Sequence, residues 1–332
     1  MSKNKLRSGI AGVGMYVPDK TVTNAELEKI VETSDEWIQS RTGIKERHIA
    51  STEQAASDLG VIAAKQALAN AKISPSEVDL IIVATATSDM QFPSTACIIQ
   101  AALGLNDVPA FDVTAGCAGF IYGLSIGSQF IENGTYENVL VIGTEVLSKI
   151  TNWTDRETCV LLADGAGAVV LRPALPGYGL LALRLGADGS GGKHLLMPAG
   201  GSRMPVTSEA IEKNLNTLHM NGHEVFKFAM KKLPEAVEQV LMAAQIDKNE
   251  VALVIPHQAN RRIIEAAARN LEMPIEKFMI NLDRYGNTSS ASIPIALYEA
   301  LENYLIKPGD NIVLVGFGAG LTWGAVAMRW GM

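Results

Sequence analysis

The chain has 332 residues, 48% hydrophobic and 19% charged, which suits about two domains' worth of packed globular protein and excludes an intrinsically disordered one. Twenty-eight basic against 35 acidic residues leave a net charge of −7, which argues against a global electrostatic grip on nucleic acid. Cys97, Cys117 and Cys159 form no CxxC pair, so neither a zinc knuckle nor a disulfide framework is supported, and a reduced, cytoplasmic setting is expected.

The start, MSKNKLRSGIAGVG, has basic residues but no continuous apolar stretch behind them, so no signal peptide is expected. Residues 55–71 have helical spacing, and 78–87 read as a buried strand. The segment AFDV is strand-like and leads through Thr114, Ala115 and Gly116 into a helix predicted from 118 to about 132. That helix is nearly free of charge, which predicts burial on all sides. Buried strands follow at 138–146, 159–171, 251–259 and 311–320, with a helix at 233–244. The longest uncharged stretch, 311–328, is broken by Gly316, Gly318, Gly320 and Gly324, so it reads as two strands and a turn instead of a membrane helix. This alternation predicts an α/β fold with largely parallel strands.

A long repeat overlays this pattern. Shifted by 173 positions, QALANAKISPSEVDLIIV resembles EQVLMAAQIDKNEVALVI, and the same shift sets Gly143 on Gly316. Two similar halves are expected, 1–172 and 177–332, with a functional site in the cleft between them.

Three residues are candidates for chemistry there. Cys117 sits at the start of the buried helix, where free N–H groups and the helix dipole would favour a thiolate; the competing reading is an inert buried thiol. His257 follows the apolar run VALVIP, at a strand end where open α/β sheets place their sites. Asn287 lies in a Gly-Asn turn before an apolar helix, and a plain helix cap is its competing role. His219 and His223, at i, i+4 spacing, would share a helical face, but two histidines make no metal site and a solvated pair is expected. The runs GFGAG and GIAGVG fail the GxGxxG spacing, so no nucleotide-cofactor site is expected.

At these residues the sequence resembles the β-ketoacyl-[acyl carrier protein] synthase III family of the thiolase-like superfamily. The carrying segments are SDEWIQSRTGIKERHI, QFPSTAC, DVTAGCAGFIYGL, TDRETCVLLADGAGA, NGHEVFKFA, PHQANRRII, YGNTSSASIP and GFGAGLTWG, which span essentially the whole chain. The resemblance implies a five-layered αβαβα fold from two pseudo-equivalent halves, assembled as a homodimer. It implies a catalytic triad of Cys117, His257 and Asn287, with backbone N–H groups of Cys117 and Ala319 as the oxyanion site, although the family usually has glycine where Ala319 stands. The implied reaction is decarboxylative condensation of an acyl-CoA primer, acetyl-CoA or another short acyl-CoA, with malonyl-[acyl carrier protein] through an acyl-Cys117 intermediate. This would initiate fatty acid biosynthesis. The alternative is a thiolase-like acyltransferase or condensing enzyme of secondary metabolism with the same triad.

The resemblance further implies that Trp37 and Arg156 sandwich the CoA adenine and that Arg41 meets a CoA phosphate. Lys227, Arg262 and Arg269 would dock the acidic carrier protein, and Phe92 would bound the partner subunit's acyl pocket. No metal and no cofactor are implied, acyl-CoA being a substrate, and neither nucleic acid nor membrane is an expected partner.

Overall fold

The computed structural model describes residues 6–331. The basic start at 1–5 and the last residue of the second half, 332, lie outside the described residues. Two sheets organise the chain. The first has five strands, Ser8–Tyr16 (β1), Leu80–Ala84 (β2), Ala110–Val113 (β3), Val139–Val146 (β4) and Asp164–Pro173 (β5), in the order β1-β5-β4-β2-β3. The second has four, Gly179–Ala187 (β6), Val251–Pro256 (β7), Asn311–Gly318 (β8) and Thr322–Arg329 (β9), in the order β7-β8-β9-β6.

The sheets are mixed, which corrects the largely parallel expectation. Strand β2 runs parallel to β3 and β4, and β7 parallel to β8, but β5 and β9 are antiparallel to both their neighbours. Between β8 and β9 the connection is too short for a parallel crossover, so the chain must return as a hairpin. The strand expected from 159 starts at Asp164, because residues 159–163 turn toward the cavity described below.

The principal helices are Asp35–Thr42 (α1), Ala56–Ala71 (α2), Thr95–Ala102 (α3), Gly119–Glu132 (α4), Gly222–Ala244 (α5), Arg261–Asn270 (α6) and Ser292–Glu302 (α7). Helix α5 begins well before the predicted 233, because the Asn221 side chain caps it by accepting from Glu224 N–H. His219 therefore precedes the helix, in a short strand, and shares no helical face with His223.

Strand periodicity explains the layering. Ile81 and Val83 of β2 pack with α2 on the outer side, while Leu80 and Ile82 pack inward against Phe120 and Leu124 of α4. In β8, Ile312 and Leu314 face the same inner layer, and Val313 and Val315 face α5 and α6. Each strand thus needs apolar residues on both faces, and the order is helix, sheet, helix, sheet, helix. Helices α4 and α7 form the middle layer. Phe120, Ile121 and Leu124 are wholly buried there, each contributing about 1.5–3 kcal/mol through removal from water.

Both middle helices start at a close backbone approach. A Cβ on Gly143 of β4 would lie 2.4 Å from the Ser290 carbonyl oxygen, just before α7. A Cβ on Gly316 of β8 would lie 3.2 Å from Cα of Ala118, just before α4. Glycine at these two positions lets each helix start press onto the opposite sheet. The two turns that precede α4 and α7 therefore meet between the sheets.

Candidate active site

Cys117 lies in the single helical turn Gly116–Ala118 that runs into α4. The turn is held from the second sheet, since a Cβ on Gly318 would sit 2.4 Å from Cys117 N. Cys117 is half-buried on the wall of a cavity of about 1010 Å³, shared with His257, Asn287, Ser289, Phe317, Gly318 and Ala319. Burial pushes its thiol up to about 12, the Ser289 hydroxyl opposes this by hydrogen bonding, and the Glu145 carboxylate adds to the rise. This corrects the expected thiolate. One helical turn of backbone dipole is outweighed by desolvation and a neighbouring anion.

His257 follows the end of β7 and is buried. Its N–H donates to the Val315 carbonyl at 2.8 Å, which extends the β7–β8 ladder and fixes the residue. Its Nδ1 lies 2.7 Å from Ser292 Oγ, and its ring meets Phe317 edge-on at 5.2 Å. Burial pulls the imidazole down to about 3, so it stays neutral near pH 7.

Asn287 is clamped by its backbone to the 159–163 turn. It donates N–H to Leu161 O at 2.9 Å and accepts from Ala163 N–H at 3.0 Å. Its Oδ1 accepts from Ser289 N–H at 2.9 Å. The Nδ2 donor is thereby left for the cavity. Thus Cys117, which follows a strand of the first sheet, His257, which follows a strand of the second, and Asn287 all line one cavity.

Trp37, Arg41 and Arg156 line the cavity farther out, with the Arg156 guanidinium 5.1 Å from the Trp37 ring centroid and bonded to Glu32 O. No flat ring fits between them at that distance, since two van der Waals separations need about 7 Å. Arg262 also lines the cavity and covers Phe226 at 5.5 Å. Lys227 and Arg269 are exposed on α5 and α6. Phe92 is 85% exposed on the loop before α3, and the neighbouring Gln91 bonds Gly200 O. Ala319 is half-buried beside Cys117 and lies outside the left-handed backbone region, so alanine is tolerated there. Among the described residues there is no group of three or more His, Cys, Asp or Glu that could hold a metal, and no helix long and apolar enough to cross a membrane.

Comparison with known proteins gives this geometry a context. Residues 111–189 match the 3-oxoacyl-[acyl-carrier-protein] synthase III family model, and 241–330 match its C-terminal model. The β-ketoacyl-[acyl-carrier-protein] synthase III of Caldanaerobacter subterraneus is 57% identical over 98% of both chains. That of Symbiobacterium thermophilum is 53% identical over 97% of this chain and 98% of its own. The crystal structure of 3-oxoacyl-[acyl-carrier-protein] synthase III from Aquifex aeolicus superposes with a TM-score of 0.91 at 48% identity, over 97% of this chain and all of that one. The chain belongs to the β-ketoacyl-[acyl-carrier-protein] synthase III family. Its five layers are the thiolase-like arrangement of that family.

Three polar residues at or behind the cavity wall were not among the candidates read from the sequence. Glu145 is fully buried in β4, Ser289 follows Asn287, and Ser292 holds His257. The signal for Glu145 was visible, as the one charged residue in the apolar run NVLVIGTEV. Nothing in the sequence announced its partners.

Proposed function

We propose that this condensing acyltransferase starts fatty acid synthesis by moving the acyl group of an acyl-CoA primer onto Cys117 and condensing it with malonyl-[acyl carrier protein]. The carrying observation is that a thiol, a neutral imidazole and an oriented carboxamide line one cavity. The Cys117 sulfur attacks the thioester carbonyl, CoA leaves, and an acyl-cysteine remains. Backbone N–H groups of Cys117 and Ala319 stabilise the tetrahedral oxyanion. Malonyl-[acyl carrier protein] then loses CO₂, and enolate charge develops on its thioester oxygen. The Ser292 hydroxyl accepts from Gln258 N–H and has its own proton for Nδ1 of His257, which leaves Nε2 as the N–H donor. His257 Nε2–H and Asn287 Nδ2–H donate to the enolate oxygen, and the carbanion attacks the acyl-cysteine. The product is a 3-ketoacyl-[acyl carrier protein].

For the primer, Arg156 moves off the Trp37 face to admit adenine, and Arg41 takes a phosphate. No cofactor or metal enters, because loss of CO₂ drives the condensation. Lys227, Arg262 and Arg269 dock the carrier protein. The working unit is a homodimer of the two-halved chain, 1–172 and 177–332, in the cytoplasm, with Phe92 reaching the partner's acyl pocket.

Mass spectrometry after incubation with acetyl-CoA tests the core of this. An adduct of one acetyl group is expected on Cys117 in the wild type and in His257→Ala, and none in Cys117→Ala. Condensation with malonyl-[acyl carrier protein] is expected to fall by about 10²–10³-fold in His257→Ala. Full condensation by Cys117→Ala would overturn the mechanism.

A further inference from the structure

The buried carboxyl of Glu145 has no role in the chemistry above, yet it sits directly behind the nucleophile. It accepts at Oε2 from the Thr87 hydroxyl (2.7 Å) and from Ala86 N–H at both oxygens (3.2 and 3.1 Å). At Oε1 it meets the hydroxyls of Ser289 (3.0 Å) and Ser290 (2.8 Å) across the interface between the layers. Among the described residues no lysine or arginine pairs with it. A lone buried carboxylate is costly, and burial raises its proton affinity.

Two serines leave room for one more proton in this cluster. The Ser290 hydroxyl has a single hydrogen but faces two acceptors, Glu145 Oε1 and Ala84 O at 2.9 Å. If it serves Ala84, a proton on Glu145 can complete the contact. The Ser289 hydroxyl likewise meets Glu145 Oε1, and Ser289 lines the same cavity as Cys117.

We propose that Glu145 accepts the Cys117 thiol proton through the Ser289 hydroxyl, so that one negative charge passes from carboxylate to sulfur as the nucleophile forms. The Sγ–H bond breaks and its proton joins Ser289 Oγ, while the proton Ser289 already carried passes to Glu145 Oε1. When the CoA thiolate departs, the relay runs backward and protonates it, and Glu145 is a carboxylate again. The buried site holds one negative charge before and after thiolate formation. Two adjacent buried anions are thereby avoided. His257, held neutral, is a poor acceptor for the same proton. Glu145 thus acts as a positioning and proton-holding residue through Ser289, which lines the cavity with Cys117. The inference rests on Cys117 being the nucleophile of the proposed function.

The groups that face the pair simplify the pH reading. Thr85, Ala86 and Thr87 after β2 and Ser289 and Ser290 before α7 do not ionise, so Cys117, Glu145 and the neutral His257 are the titratable groups involved. The test is the pH dependence of Cys117 alkylation by iodoacetamide, read by mass spectrometry on the intact protein. One shared proton predicts a wild-type rate constant that is flat across neutral pH and falls only toward acid, where the pair gains a second proton. In Glu145→Gln the plateau is expected to be replaced by a tenfold rise per pH unit. Where the wild type is flat, Glu145→Gln should then alkylate faster, because the anion that raises the thiol is gone. A wild-type profile that already climbs like that of a lone thiol overturns the relay, and this arm needs no variant to fold. A plateau that survives Glu145→Gln, as a cysteine–histidine ion pair would give, also overturns it. If acetyl-CoA still labels Cys117 in either case, the relay alone has failed and the proposed function stands.

Discussion

Burial holds the His257 imidazole neutral down to about pH 3, whereas histidine in an unfolded chain titrates near 6.5. Between those values the unfolded chain binds a proton that the folded chain refuses. The stability tied to His257 is therefore complete above pH 6.5 and is lost as pH falls, by up to about 1.4 kcal/mol per pH unit. Glu145 and Asp164 run the other way, because burial raises both carboxyls and the folded chain keeps protons the unfolded chain has lost. Their contribution falls as pH rises through the carboxyl range, and it persists when His257 is replaced. The difference between the wild type and His257→Gln thus isolates the histidine. Urea titrations between about pH 4 and 6.5 are expected to show the wild type losing stability toward acid more steeply than the variant. Parallel stability curves would mean that the folded protein protonates this ring as readily as water does.

At the scale of elements, the site is made where two helix starts press on opposite sheets. An alanine at Gly143 would put its Cβ 2.4 Å from a backbone oxygen of Ser290 that cannot rotate away. The cost expected of such overpacking is about 1–3 kcal/mol. The displaced turn also carries Ser289, which orients Asn287, so Gly143→Ala is expected to slow condensation as well as lower the melting temperature. Gly189→Ala is the control, since no atom outside its own chain neighbours lies within 4 Å of its added Cβ. Equal melting temperatures for the two variants would refute the close-approach argument. The same elements show what could be read in advance. Strands buried on both faces announce themselves as apolar runs, and a charge-free helix announces a middle layer. Cys117, His257 and Asn287, put forward from strand and turn signals, all line the cavity. The Glu145 cluster was not legible, because its contacts span 144 residues of sequence between Ser289 and Glu145. The state of the Cys117 thiol was misjudged for the same reason, as the anion that opposes its ionisation comes from another strand.

At the scale of the whole molecule, a chain of net charge −7 is proposed to bind an acidic partner. The conflict is settled by screening, because at physiological salt charges beyond about 8 Å are largely muted and only the local surface counts. Arg262 and Arg269 lie seven residues apart on α6, two turns or about 10 Å along one face, and Lys227 stands on the adjoining helix α5. Lys232 and Arg261 are already paired with Glu235 and Glu265, so they add less to the field there. Among the described residues Lys227 and Arg269 have no ion-pair partner, and neither lines the cavity. Reversing both, in Lys227→Glu with Arg269→Glu, should therefore weaken docking while leaving the inner chemistry alone. KM for malonyl-[acyl carrier protein] is expected to rise about tenfold or more, and its dependence on salt to flatten or invert. Acetylation of Cys117 by acetyl-CoA, which needs no carrier protein, should keep its rate in the same variant. If acetylation falls in step with condensation, the two cations serve the cavity or the fold; if KM does not move, the carrier protein docks elsewhere.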